Sequence, residues 1–437
     1  MSNRSSDNGS ASSGAGNSSA IVIIGALFFI FGFVTWLNGT LIPFLKLACN
    51  LKTDAQAFFV TFAFYMAYFF LAIPSSWILK KTGLKNGMAL GLLVMAIGAV
   101  VFIPAANARS FGLFLTGLFV QGMGLSLLQT ASNPYISIVG PIESAARRIS
   151  IMGICNKLAG ILSPVILSAI LLKDASALEL KINTATDEAT RNVLLNELAG
   201  RVIMPYGIMA VVLVLLAIWA SKSSLPDIDV SEANAQPAHS ASAADKTSVL
   251  QFPHLVLGVI CLFLYVGVEV MAGDAIGTYG KSFGLPLDQT KYFTSFTLVA
   301  MLVGYVIGII AIPKLISQEK SLRISAILGI VLALGALLTK GYISVGFVAA
   351  LGLANALMWP AIFPMAIRGL GKFTEMGSAL LVMGIAGGAI LPLAFGYFKE
   401  LYNFQLVFFL LMTPCYLYIL YYATAGYKVG LNMPKQK

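Results

Sequence analysis

The stretch MGICNKLAGILSP, residues 152–164, is apolar, spaced with glycines, and carries a lysine at its centre. The run around it, 149–172, has the length and composition that cross a bilayer as a helix. A strongly hydrated cation has no ordinary place in such a helix, so Lys157 needs a reason. The same stretch shows how the chain is built. Met152-Gly153-Ile154 returns as Met383-Gly384-Ile385, an offset of 231, and Ile161-Leu162-Ser163-Pro164 returns one residue shorter as Ile390-Leu391-Pro392. Pro134 and Pro364 match at an offset of 230, and the basic turn LKKTGLKNG (79–87) has a counterpart in IPKLISQEKSLR (312–323). Several matches near one offset point to a duplicated unit. Lys157 falls opposite Gly388, so the cation is not a packing requirement of the repeat.

Working outward, the 437 residues are 58% hydrophobic and 11% charged, whereas soluble domains run near a quarter charged. Twelve apolar runs of spanning length are read: 21–46, 55–79, 86–106, 110–138, 149–172, 202–220, 253–280, 289–313, 321–339, 342–367, 377–397 and 402–424. Lipid offers the backbone no partners, so these must be helices, and the alternation of a barrel strand is absent. The polar, proline-bearing segment 221–250 divides them six and six. The expected fold is an all-α membrane protein with twelve transmembrane helices in two pseudo-symmetric six-helix bundles, 21–220 and 251–426. A disordered cytoplasmic tail (1–20), a cytoplasmic linker (221–250) and a second tail (427–437) complete it. Two parallel six-helix repeats with a site between them resemble the layout of major facilitator transporters.

The net charge of +10 raises the question of a nucleic-acid partner. Starting from a cytoplasmic N-terminus, 16 of the 28 Lys and Arg fall on the inner side, while four of the outer ones sit in the polar loop 173–201. The short loops therefore carry the positive-inside bias, with both termini cytoplasmic and no nucleic acid implied. Cys49, Cys155, Cys261 and Cys415 are scattered singly and read as packing residues; with only His239 and His254 there is no relay or metal cluster, and no enzyme is expected.

Of the 18 acidic residues only Glu269 and Asp274 fall inside an apolar run, both in the seventh, LYVGVEVMAGDAIGTYG (264–280), and Lys157 lies within the fifth. Each costs about 2.5–3.5 kcal/mol to insert, and such groups survive by pairing or by facing a wet cavity. Lys157 snorkelling to the cytoplasm, and Asp274 solvated at the outer mouth, are the alternatives at this point. Neutral polar residues form stripes: Thr35 and Asn38 in the first span, Gln129 and Asn133 in the fourth, Tyr265 and Glu269 in the seventh, Asn355 and Trp359 in the tenth. Interhelical hydrogen bonds would explain any one of them. Four stripes with aromatic plates describe a pocket for a sugar, whose vicinal hydroxyls suit amides and whose C–H face suits an indole.

The segments FFIFGFVTWLNGTLIPFLK (28–46), LLQTASNPYISIVGP (127–141), RISIMGICNKLAG (148–160), FLYVGVEVMAGD (263–274) and MGSALLVMGIAGGAILP (376–392) resemble the fucose–galactose–glucose proton symporter family, its bacterial glucose/galactose permeases above all. The resemblance spans all twelve helices. It implies the major facilitator fold, alternating access and a hexose-like substrate; a multi-pass monomer of the bacterial inner membrane, with no cofactor, is expected. The fucose symporter's pattern has carboxylates where this chain has Gly39 and Gln129, so coupling is expected at Glu269 with Asp274, balanced by Lys157. The expected function is import of a hexose such as glucose or galactose with a coupling cation, Na+ or H+; sodium would bind near Glu269 and Asp274. Trp36, Asn38, Gln129, Asn133, Asn156, Tyr265, Glu269, Asn355 and Trp359 are the expected sugar contacts. An uncoupled facilitator or exchanger, and more distantly a drug–proton antiporter, are the alternatives.

Overall fold

The computed structural model describes residues 10–138, 145–185, 187–223, 246–312 and 315–431. Most of the expected linker (224–245), the chain ends 1–9 and 432–437, and Pro313 and Lys314 of the second basic turn lie outside the described residues. Among the described residues every regular element is helical. Eleven segments are long and apolar enough to cross a membrane. One of them is double: the helix Phe59–Asn107 turns back at Gly83, whose φ of 74° and ψ of 166° are open to glycine at no steric cost. Counted so, there are twelve spans. Their outward faces bare Leu215, Ile310 and Leu338, as a lipid-facing rim requires.

Two expectations differ in detail. The first helix, Ser10–Thr35, begins inside the stretch read as an unstructured tail, whose Ser, Ala and Gly residues include no proline to stop it. The polar loop 173–201 carries two short helices, Ala175–Thr184 and Glu188–Gly200. Leu178 with Ile182, and Leu195 with Leu198, recur at helical spacing and are buried, so each helix lays an apolar stripe on the bundle. Asp187 caps the second, accepting from the Thr190 amide at 2.7 Å.

The repeat is visible in packing. Gly32 leaves no room for a Cβ against the Asn156 carbonyl, and Gly387 leaves none against that of Phe263. Gly32 and Phe263, like Asn156 and Gly387, are equivalents at the offset of 231. The first span thus meets the fifth as the seventh meets the eleventh, with the glycine on the opposite partner. Between the halves, Ser295 donates to the Ile161 carbonyl (3.0 Å) and Ser168 to that of Lys291 (3.3 Å), tying the fifth span to the eighth.

Three spans are broken by turns near the centre, and the eleventh passes through a 3-10 turn at Gly384–Ala386. The first breaks at Trp36 and Leu37, before Asn38–Ala48. The seventh, Pro253–Gly273, breaks at Asp274 and Ala275, before Ile276–Lys281. The tenth, Gly341–Asn355, breaks at Ala356 and Leu357, before Met358–Ile367. The breaks adjoin: the Trp36 ring packs on Gly273 and shares an apolar cluster with Ala356. The Gly273 and Ala272 carbonyls accept from Thr294 (2.9 Å) and Thr297 (2.7 Å), which satisfies backbone that a regular helix would have bonded to itself.

Candidate functional site

A cavity lies between the halves, lined from eight spans. Its far end is formed by Thr35, Trp36 and Glu269, and Phe28, Phe31 and Ile149 extend it toward the face where the described residues begin at Ser10 and end at Leu431, here the terminal face. Lys157 and Glu269 face each other across it. The ammonium donates to Glu269 Oε1 at 2.9 Å, and the two side chains are 7% and 11% exposed. The same ammonium stands 4.3 Å from the centre of the Trp36 ring, a cation–π contact. Lys157 is therefore held across the interface and does not run to the membrane surface. Its repeat equivalent, Gly388, explains the asymmetry: a Cβ there would stand 2.9 Å from Val270 Cγ2 and 3.1 Å from the Tyr65 ring. No lysine fits at that position.

A buried ion pair adds little net stability, because desolvation offsets the attraction, but removing one partner costs about 3–5 kcal/mol. The pair thus behaves as a unit that is neutral when intact and costly when halved. The other polar groups are amides and phenols. Gln129 Nε2 donates to the Tyr68 hydroxyl at 2.9 Å, and Trp36 Nε1 donates to Asn156 Oδ1 at 3.4 Å. Trp359 lies nearly parallel to Phe363, with ring centres 5.8 Å apart at 19°. Among the described residues no three His, Cys, Asp or Glu side chains gather as metal ligands. The lining offers donors, acceptors, flat apolar plates and no net charge, which fits a neutral polyhydroxylated molecule.

Trp36, Gln129, Asn133, Asn156, Lys157, Tyr265, Glu269 and Trp359 are brought to this cavity; Asn38, Asn355 and Asp274 are not among its lining residues. Asn355 is fully buried, with Oδ1 accepting from Tyr416 at 2.8 Å. The helix break after it ends the face it was expected to share with Trp359. Asn38 is separated from Thr35 in the same way, by the break at Trp36 and Leu37. Asp274 is buried at its break, with 1% exposure, and is not solvated at a mouth. Sequence reasoning missed Tyr65, Tyr68 and Tyr305, which also line the cavity. Tyr65 and Tyr68 are three apart on one helix face, but they sit in FAFYMAYFF (62–70), where aromatics on every side hide the stripe.

The family model of the Major Facilitator Superfamily matches residues 24–388. The chain is 35% identical over 412 residues to a "Glucose/galactose transporter" of Brucella abortus, covering 94% of each chain. It is 28% identical to the "L-fucose-proton symporter" of Escherichia coli over 86% of this chain and 85% of the relative. The fold matches the crystal structure of the transporter FucP in the outward conformation with a TM-score of 0.73, 24% identity, and coverage of 93% and 98%.

Proposed function

The chain belongs to the Major Facilitator Superfamily, within it to the family of the glucose/galactose transporters and the fucose–proton symporter, and on that premise we propose that it imports a hexose with a coupling cation. The observation that carries this reading is the buried Lys157–Glu269 pair, 2.9 Å across the two halves, in a cavity of amides and aromatic plates. The terminal face is the cytoplasmic one, as the positive-inside bias requires. The state described is then open toward the cytoplasm.

Gln129, Asn133 and Asn156 meet the sugar hydroxyls, with Trp36 and Trp359 against the ring's C–H faces. Glu269 accepts from a hydroxyl while Lys157 keeps its charge compensated. A sugar bound there bridges both halves, so it changes the relative stability of the two orientations of the bundles; only such a differential drives the rocking. Glucose and galactose are the proposed substrates because the relative of highest identity above is named for them.

The test is counterflow in proteoliposomes with labelled glucose, galactose and fucose. Exchange of glucose or galactose is expected, without competition from lipophilic cations. Lys157→Ala should insert normally and lose accumulation against a gradient, since Glu269 is left as a buried, unpaired carboxylate. Full accumulation by that variant would falsify the role of the pair, and wild-type exchange that ends at equilibration under every ion gradient would make the protein a facilitator.

A further inference from the structure

Five buried polar atoms beside the cavity have no hydrogen-bond partner, and they belong to three side chains that adjoin. These are both carboxylate oxygens of Asp274, both amide atoms of Asn38 and the hydroxyl of Tyr65. The three residues are 1%, 0% and 2% exposed. Asp274 lies against the Gly39 amide and the Tyr65 hydroxyl, and Tyr65 lies against Asn38. Other buried polar groups of this region, such as Thr294 and Thr297, are paired. The cluster sits where the broken first and seventh spans meet. Broken helices are where transporters commonly hold coupling ions.

We propose that Asp274 is the proton-carrying carboxyl of the transport cycle, in a closed pocket completed by Asn38 and Tyr65 and separate from the sugar cavity. The titratable groups that face it are Glu269, Lys157 and Tyr65. Lys157 is already committed to Glu269. Two carboxyls thus share one ammonium, and the region is neutral only when one of them holds a proton. An ionised Asp274 would be buried with only the Gly39 amide and the Tyr65 hydroxyl against it, its one nearby cation being held by Glu269. The protonated acid has a hydroxyl to give, and the Tyr65 hydroxyl against it can accept while Tyr65 in turn lies against Asn38. A sodium ion would draw on the carbonyls freed by the helix break, and those of Ala272 and Gly273 already accept from threonines.

Coupling follows from the shared ammonium. When the pocket opens to water, Asp274 gives its proton to a water molecule and becomes a carboxylate. Lys157 then faces two anions, its hold on Glu269 weakens, and the wall of the sugar cavity changes. Tyr65 belongs to both places, lining the cavity and touching Asp274.

This rests on the transport reading above, and infrared spectroscopy of the purified, sugar-free protein separates the two. A protonated-carboxyl C=O band at neutral pH is expected that shifts in D2O and is missing in Asp274→Asn. Tyr65→Phe should keep the band and move it, which guards against a variant that merely misfolds. In proteoliposomes, wild-type accumulation should follow the pH gradient without sodium. Asp274→Asn, a mimic of the permanently loaded acid, should carry sugar only to equilibrium. Absence of the band, accumulation driven by sodium alone, or pH-driven accumulation by Asp274→Asn would overturn the proposal. The band without any hexose counterflow would sink the sugar reading and leave the proton site standing.

Discussion

The far face and the terminal face of this molecule close by different means. On the far face, Asp54 pairs with Lys46 of its own half and Lys399 of the other, and its amide donates to Glu400 at 2.9 Å. Glu179 meets Lys281 at 2.5 Å, and Asp288 accepts from the amides of Ala175 and Ser176 at 3.2 Å. Lys291 reaches back to the Leu172 carbonyl at 2.8 Å. On the terminal face, the ion pair between halves among the described residues is Lys80–Glu375, at 4.0 Å and with side chains 60% and 35% exposed. One face is zipped by charges that water can replace; the other is joined by the packing of Thr374–Met383 on the second and fourth spans, with a single exposed ion pair between the halves among the described residues. A barrier built of ionic contacts can be shut firmly and still reopen, where a wide apolar seal would cost far more to part.

The comparison breaks most readily at Gly396, where the eleventh span touches the start of the second. A Cβ there would stand 2.5 Å from Phe58 Cδ2 and 3.0 Å from the Ala55 backbone. Backbone does not swing aside, so Gly396→Val should destabilise the sealed far face by about 1–3 kcal/mol. That moves the balance of orientations on the order of tenfold or more. Spin labels on Lys52 and Leu401, exposed on opposite halves of that face, should gain a long-distance population. An unchanged distance distribution would mean that the close approach does not hold the face shut.

A smaller effect is expected from Asp54→Ala, which strips the node without adding bulk. Lys399 is 10% and Asp54 19% exposed, so the pair lies between surface pairs worth about 0–1 kcal/mol and buried ones whose halving costs about 3–5. A shift of about 1–2 kcal/mol toward the far-open state should appear with the same labels. Combined with Lys399→Ala, the two losses should fall short of their sum, since both remove one contact.

Much of this was legible in the sequence, and the limits have one physical source. Spacing arguments hold where the helix is continuous: Gln129 with Asn133, and Tyr265 with Glu269, are four apart on unbroken helices and reach the cavity together. They fail across a break, as with Thr35 and Asn38 or with Asn355 and Trp359. Pro360, which cannot donate to the Ala356 carbonyl four residues back, marks the break in the tenth span, but no proline stands so at the breaks of the first and the seventh. The break at Trp36 and Leu37 is supported by a neighbouring span, through the packing of Trp36 on Gly273, and such support is tertiary information. The pairing of Lys157 with Glu269 was readable because charges are scarce in the apolar runs. The isolation of Asp274 was not, because it depends on which of two carboxyls reaches the one lysine.

The smallest expected effect sharpens the comparison most. Glu375→Gln removes the Lys80 pair from the terminal face, yet both side chains are more than a third exposed or close to it, and the ions are 4.0 Å apart. Such pairs contribute a few tenths of a kcal/mol at most and are screened by salt. No change in the label distances is expected, and none in the denaturation midpoint. A far-face seal that greatly outweighed the terminal one would trap the protein in one orientation, because a ligand shifts the balance only by its differential affinity. The sparse ion pairing of the terminal face is therefore tolerable only if the far-face charges are themselves worth little more than the ligands bring. A sizeable effect of Glu375→Gln would mean that the two faces are matched ion for ion, and that the difference between them does not set the state described.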